Sequence, residues 1–337
     1  GYKKLNTFNL PDSSIVDGSA YFDTDLFTGD GTTRNRIYTD FTPDFVWIKK
    51  RSVAGSHYIT NKVTDGYMQS NTTVAETANS AFDWYVDGYD IGPNGNGDTL
   101  VGWSWKAGGT AVSNTDGTIT SSVSANTTAG FSVVTYTGTG SAATVGHGLG
   151  VAPKMIITKK RSSAGDNWVI WHTSLTSGTY ILLFTTAAQF SSTQYTAVPS
   201  STVLNLNTAT AVNNSGSTYV SYCFAGVEGY SKFGSYTGNG SADGTFIYTG
   251  FRPAFIMTKK ATSTGEWEMY DTSRGLYNAV PMTLEAQSGS SELNYYTIDI
   301  LSNGFKQRNF YDTQNQSGAT FIYMAFAENP FKNSLAR

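Results

Sequence analysis

Residues 216–224 read Gly216-Ser217-Thr218-Tyr219-Val220-Ser221-Tyr222-Cys223-Phe224, and two other stretches repeat the pattern. They are Gly97-Asp98-Thr99-Leu100-Val101-Gly102-Trp103-Ser104-Trp105 and Gly318-Ala319-Thr320-Phe321-Ile322-Tyr323-Met324-Ala325-Phe326. Successive side chains of a strand point to opposite faces. One face then carries Val101, Trp103 and Trp105, matched by Val220, Tyr222 and Phe224 and by Ile322, Met324 and Phe326. It is apolar in every copy, which predicts a strand facing a core. The other face carries Gly102 and Ser104, Ser221 and Cys223, Tyr323 and Ala325. It is mostly small, which suits close packing against a neighbouring layer.

Upstream of each closing strand the same markers recur in the same order. A turn opens each copy: Phe27-Thr28-Gly29-Asp30-Gly31, Tyr136-Thr137-Gly138-Thr139-Gly140 and Tyr236-Thr237-Gly238-Asn239-Gly240. Next come Pro43, Pro153 and Pro253, each leading an apolar run that ends in Lys49-Lys50, Lys159-Lys160 or Lys259-Lys260. Runs apolar at consecutive positions predict strands covered on both faces, and a proline at a strand start removes a donor where no ladder bond is needed. An aromatic strand follows: His57-Tyr58-Ile59, Trp168-Val169-Ile170-Trp171 and Trp267-Glu268-Met269-Tyr270. The prolines are spaced by 110 and 100 residues, close to one β-sandwich domain.

The expected fold is therefore all-β, with three tandem β-sandwich-like repeats (jelly-roll or lectin-like) of about 100 residues, each burying its own aromatic layer. The boundaries read as an N-terminal arm or contributed edge strand at 1–26, repeats at 27–109, 136–229 and 230–337, and a Ser/Thr/Gly-rich connector at 110–135. A strand is expected at Thr118–Val123 and a short helical turn at Val74–Ala81. The short join Gly226–Ser235 predicts a tighter packing of repeats two and three. Separate sandwiches and sheets shared around a pseudo-threefold axis both fit the pattern.

Composition excludes several classes. The 337 residues carry 22 Lys+Arg against 25 Asp+Glu, a net charge of −3. A near-neutral chain without a basic tract does not grip nucleic acid by counterion release. No apolar run is long enough to span a membrane as a helix. One cysteine supports neither a disulfide framework nor a Cys-based zinc site. The first 26 residues lack the charged-then-apolar layout of a secretory signal.

Candidate chemistry is thin, and no catalytic residue, metal or cofactor is expected. His57, His147 and His172 have no metal-like partner at i+2 or i+4, and Cys223 aligns with Ser104 and Ala325 as a small packing position. Glu266 and Glu268 share a strand face as a glycosidase pair could, but their counterparts in the other copies are not acidic. The loop Gly92-Pro93-Asn94-Gly95-Asn96-Gly97-Asp98 reads as a hairpin loop before a calcium turn. Lys49, Lys50 and Arg51, Lys159, Lys160 and Arg161, and Lys259 and Lys260 read first as strand-end charges that block edge pairing, and second as basic spots for anionic sugars. Trp84, Trp168, Trp171 and Trp267 offer ring faces to sugars, although burial is the commoner fate of tryptophan. The candidate glycan contacts are Trp168, Trp171, Trp267, Lys160 and Lys260.

The succession YTGNG (236–240), GFRPAFIMTKK (250–260), GEWEMYDTSRG (265–275), NGFKQR (303–308) and SGATFIYMAFAENPFK (317–332) resembles a repeated β-rich domain. That domain occurs in tail-fibre and other virion proteins of marine, often cyanobacterial, bacteriophages, and the resemblance spans about residues 21–337. It implies a non-enzymatic protein of the particle exterior, a tail fibre or appendage that displays β modules for attachment to host glycan. Other virion proteins and a host glycan or receptor are the implied partners, with homo-oligomerisation, commonly as a trimer, and no nucleic acid or membrane. Capsid decoration is the alternative, and a tailspike polysaccharide hydrolase a third reading. The resemblance brings no catalytic residues. The first copy departs from it most, with His57-Tyr58 where the others carry Trp168 and Trp267.

Overall fold

The computed structural model describes residues 14–330 apart from 33, 79–81, 93, 177–178 and 192. Its regular secondary structure is nearly all antiparallel strand. Three large sheets share one four-strand order. In the first, Phe22–Thr28 pairs with Thr99–Trp105, then Phe45–Lys50, then Tyr58–Asn61. The second runs Phe131–Thr137, Thr218–Phe224, Met155–Lys160, Trp168–His172. The third runs Ser231–Thr237, Thr320–Pro330, Phe251–Lys260, Trp267–Asp271. The register is also common to all three, because Trp105 lies opposite Phe45, Phe224 opposite Met155 and Phe326 opposite Phe255.

The closing strands put their apolar faces where alternation predicts, into a core, but that core is not private. Trp105, Phe224 and Phe326, the equivalent residues of the three copies, meet as a triangle with ring centroids 5.7–6.4 Å apart. Around them one contiguous cluster gathers Phe22, Phe45, Trp47, Phe131, Ile157, Trp168, Phe255 and Trp267 from all three sheets. The molecule is thus a three-walled body around a pseudo-threefold axis, and the expectation that each repeat buries its own aromatic layer is corrected. Apolar surface is buried wherever another apolar surface of matching shape meets it, and the nearest one belongs to the next copy.

The outer faces do have private layers. Asn35–Tyr38, Gly88–Ile91 and Phe82–Tyr85 form a small sheet over the first wall. Ala143–Gly146 and Val203–Leu206 cover the second. In the third, the large sheet itself curls over through Val280–Glu285, Leu293–Leu301, Gly304–Gln307 and Phe246–Tyr248. The small outer residues of the closing strands make this possible. A Cβ on Gly102 would lie 2.1 Å from the Tyr89 hydroxyl above it. In the third wall Tyr323 itself fills that space, and Gly234 on the neighbouring strand makes room for it.

Some boundaries differ from the sequence reading. Val112–Asn114 and Ser121–Asn126 extend the second sheet, so residues 110–135 are wall and not linker, and the opening strand there begins at Phe131. Thr77–Ala78 is strand where a helical turn was expected, while residues 79–81 of that expectation lie outside the described residues. So do residues 1–13 of the arm; its end, Phe22–Leu26, is edge strand.

Repeats two and three are not a tighter pair, because three alike seams close a ring. Gly165 N–H donates to Thr73 O, Gly265 N–H to Thr186 O and Gly55 N–H to Gly289 O, at 2.7–3.0 Å. Glu76, Gln189 and Glu292 donate their N–H groups to Arg161 O, Ala261 O and Arg51 O. Two seams add an ion pair, Arg161–Glu76 at 2.6 Å and Arg51–Glu292 at 2.9 Å; the third has Ala261 and Gln189 at those positions.

Candidate functional site

The copies act as controls on one another. A residue type that one wall has, the others lack, and the shared backbone does not require is a candidate for function. The strand Trp267–Asp271 sends Trp267 and Met269 inward and Glu268 and Tyr270 outward. Glu268 stands directly opposite Glu285 of Val280–Glu285. The matching pairs are Val169 with Leu182 in the second wall and, by register, Tyr58 with Gln69 in the first. The fold therefore does not require an acidic pair here.

Glu268 is 3% exposed. Its two carboxylate oxygens accept from the Tyr270 hydroxyl and the Gln314 amide. Burial pushes its pKa up to about 7 against these hydrogen bonds, which favour the ionised form. Burial and the neighbouring Glu266 also raise Glu285. Gln314 comes from the single helical turn Asp312–Asn315 before the closing strand. Its neighbour Asn315 accepts from Asn239 N–H at 3.0 Å and clamps the opening turn, and so fixes the side on which Gln314 stands.

Glu268, Glu285 and Gln314 line a cleft of about 320 Å³ with Glu266, Thr283, Asp312 and, half-exposed, Tyr311. Thr283 Oγ1, Gln314 Oε1 and Glu266 Oε2 are buried there without a hydrogen-bond partner. An orphaned buried polar atom costs roughly 1–3 kcal/mol, so this wall holds acceptors ready for a donor from outside. Such a cleft suits hydroxyl groups. Glu268 has both oxygens engaged within the protein, by Tyr270 and Gln314.

The sequence candidates are dispersed. Trp168 and Trp267 are 1% exposed in the shared core, and Trp171 is buried in the private layer of the second wall; none has a ring face for a sugar. Lys160 and Lys260 are buried too, against Asp166 at 3.2 Å and Gln316 at 3.3 Å. The first lysine of each pair does not guard an edge. Lys49, Lys159 and Lys259 face inward opposite Val101, Val220 and Ile322, with their ammonium groups on backbone carbonyls. His57 is a seam residue between Trp47 and the carbonyls of Glu285 and Ser288, and burial takes its pKa down to about 3. His172 bonds Tyr323 O, and His147 accepts from Leu149 N–H. Burial pushes the Cys223 thiol up to about 12, which leaves no thiolate. Asn94 of the 92–98 loop accepts from Gly31 N–H, as Asn213 does from Thr139 and Asn315 from Asn239; it is a turn clamp. Sequence reading missed Glu285, Thr283 and Gln314, whose meeting with Glu268 depends on strand register.

Fold and cleft together define a ring-closed, three-walled β protein with an acid-lined polar pocket. Its sequence matches the family described as Domain of unknown function (DUF7483) over residues 17–330, and the chain belongs to that family. No curated protein matches it.

Proposed function

We propose that this chain is a non-enzymatic virion protein, a tail-fibre or appendage component, that attaches a bacteriophage particle to hydroxyl-rich host glycan through the acid-lined cleft of its third wall. The observation that carries the reading is the set of orphaned acceptors, Thr283 Oγ1 and Gln314 Oε1, beside Glu266 and Glu285 in that cleft. Sugar hydroxyls are donors that match them, and the half-exposed Tyr311 ring at the cleft suits the C–H face of a pyranose. The sequence resemblance supports the virion placement, and other virion proteins are the partners that hold the chain there. A trimer is not needed to close the core, since one chain supplies all three walls.

The test is binding of the purified chain to immobilised glycans and to whole host cells. Saturable binding that Thr283→Val weakens about tenfold, the worth of one or two hydrogen bonds, at unchanged melting temperature, is the expected result. Failure of the intact chain to bind any glycan or cell would leave a purely architectural role. Release of reducing sugar from a bound polysaccharide would replace attachment by hydrolysis.

A further inference from the structure

A larger cleft, about 1020 Å³, lies where the chain leaves the first wall and the connector strand Ser121–Asn126 passes over it. Three charged side chains line it: Asp44, Lys62 and Lys106. Asp44 is 2% exposed. Its Oδ2 accepts from Gly109 N–H at 3.2 Å, while Oδ1 is buried with no hydrogen-bond partner. Lys62 Nζ is 3.9 Å from that oxygen, outside hydrogen-bond range. Lys106 lies with its ammonium 5.7 Å from the Tyr21 ring and forms no ion pair among the described residues.

The other walls show that the fold does not need these charges. Asp44 N–H bonds Trp105 O, and Lys62 N–H bonds Asp44 O. The second wall makes both bonds with Lys154, Phe224 and Thr173, and the third makes the second bond with Ala254 and Thr272. Lys106 follows Trp105 where Ala225 and Ala327 follow Phe224 and Phe326. The three charged positions of the cleft thus read Asp, Lys, Lys in the first wall, Lys, Thr, Ala in the second and Ala, Thr, Ala in the third. The backbone is kept and the charge set is not.

We infer that this cleft is a second ligand site, separate from the acid-lined one, for an anionic saccharide: a sugar that carries a carboxylate or sulfate beside free hydroxyls. Two ammonium groups supply the anion's partners. Asp44 Oδ1 is an acceptor that a ligand hydroxyl can meet and a bare anion cannot. Ser122 lines the cleft as well, over a Gly108–Gly109 floor without side chains. The floor and the covering strand are closely matched, since a Cβ on Gly108 would meet Ala125 O at 2.4 Å.

The test titrates the full chain with digalacturonic acid, galactose 6-sulfate, galactose and sodium sulfate, following the Gly109 amide by NMR and the heat by calorimetry. At least one of the two anionic sugars should bind saturably and shift the Gly109 resonance, and which one binds separates carboxylate from sulfate. Galactose and sodium sulfate should each bind at least about tenfold more weakly, and Lys106→Ala should cost about tenfold. Asp44→Asn should narrow the gap between the anionic sugar and sodium sulfate. Thr283→Val should leave this binding unchanged, so failure of the acid-lined cleft would not be mistaken for failure here. Equal affinity for sodium sulfate and the anionic sugars, equal affinity for galactose, or no effect of Lys106→Ala would overturn the inference.

Discussion

The Trp103 indole N–H donates to Asp271 Oδ2 across 3.0 Å, and so ties the first wall to the last. The same carboxylate holds Arg274 Nε at 2.5 Å, and Arg274 reaches on to Glu292, which pairs with Arg51 of the first wall. Equivalent positions close the other seams differently. Asn61 donates to the Tyr222 hydroxyl at 3.0 Å, and His172 bonds Tyr323 O at 3.2 Å. Only the seam between the first and last walls joins parts of the chain that no short linker connects, and it has the buried ionic network. Asp271→Ala would leave Arg274 buried and short of its main partner. A loss of about 3–5 kcal/mol is expected from removing one member of a buried pair, measured by urea unfolding. A loss under about 1 kcal/mol would show that the seam contributes little.

The triangle of Trp105, Phe224 and Phe326 makes the three walls one cooperative body. Phe224→Ala removes a ring that touches Phe131, Phe233, Trp105 and Phe326. It should cost about 3–5 kcal/mol. The more telling expectation is the shape of the transition. Fluorescence of the tryptophans, which lie in every wall, and far-ultraviolet circular dichroism should report one coincident midpoint in wild type and variant alike. Separate midpoints would mean that the walls fold independently after all.

The alternation that exposed the closing strands was enough to place Val101, Trp103 and Trp105 and their counterparts in a core, because period two states which face is apolar. It does not state what covers that face, so a pooled core and three private ones read alike. The same alternation was available for the lysines. Lys49 is two residues beyond Trp47 and four beyond Phe45, hence on their side of the strand, yet charge suggested an edge. The acid-lined cleft was half visible, in Glu266 and Glu268. Glu285 lies 17 residues after Glu268 and becomes its partner only through the turn that sets their register.

The inward lysines make a pH prediction. Burial pulls Lys49, Lys159 and Lys259 from an ordinary 10.5 down to about 8. Between those values the unfolded chain holds protons that the folded chain has released, so stability rises with pH across the window. Lys159→Met keeps the volume and removes the titration. Its melting temperature should exceed the wild type's at pH 7, and the advantage should shrink by pH 9.5. A constant difference across that range would show that the lysine does not titrate there in the folded protein.

Glu268 predicts the opposite slope at lower pH. Its pKa stands at about 7 against an ordinary 4.5, so between these values the folded state keeps a proton that the unfolded state loses. Its contribution to stability is full below pH 4.5 and is lost as pH rises through 7. Glu268→Gln keeps the shape and can still hydrogen-bond Tyr270 and Gln314 after its amide turns. It should match the wild type near pH 4.5 and be more stable at pH 8, by at most on the order of 3 kcal/mol. Glycan binding in the acid-lined cleft should persist in this variant, since Thr283 Oγ1 and Gln314 remain to meet the ligand. Equal stability of the two proteins at pH 8 would mean that Glu268 titrates normally and that water reaches it.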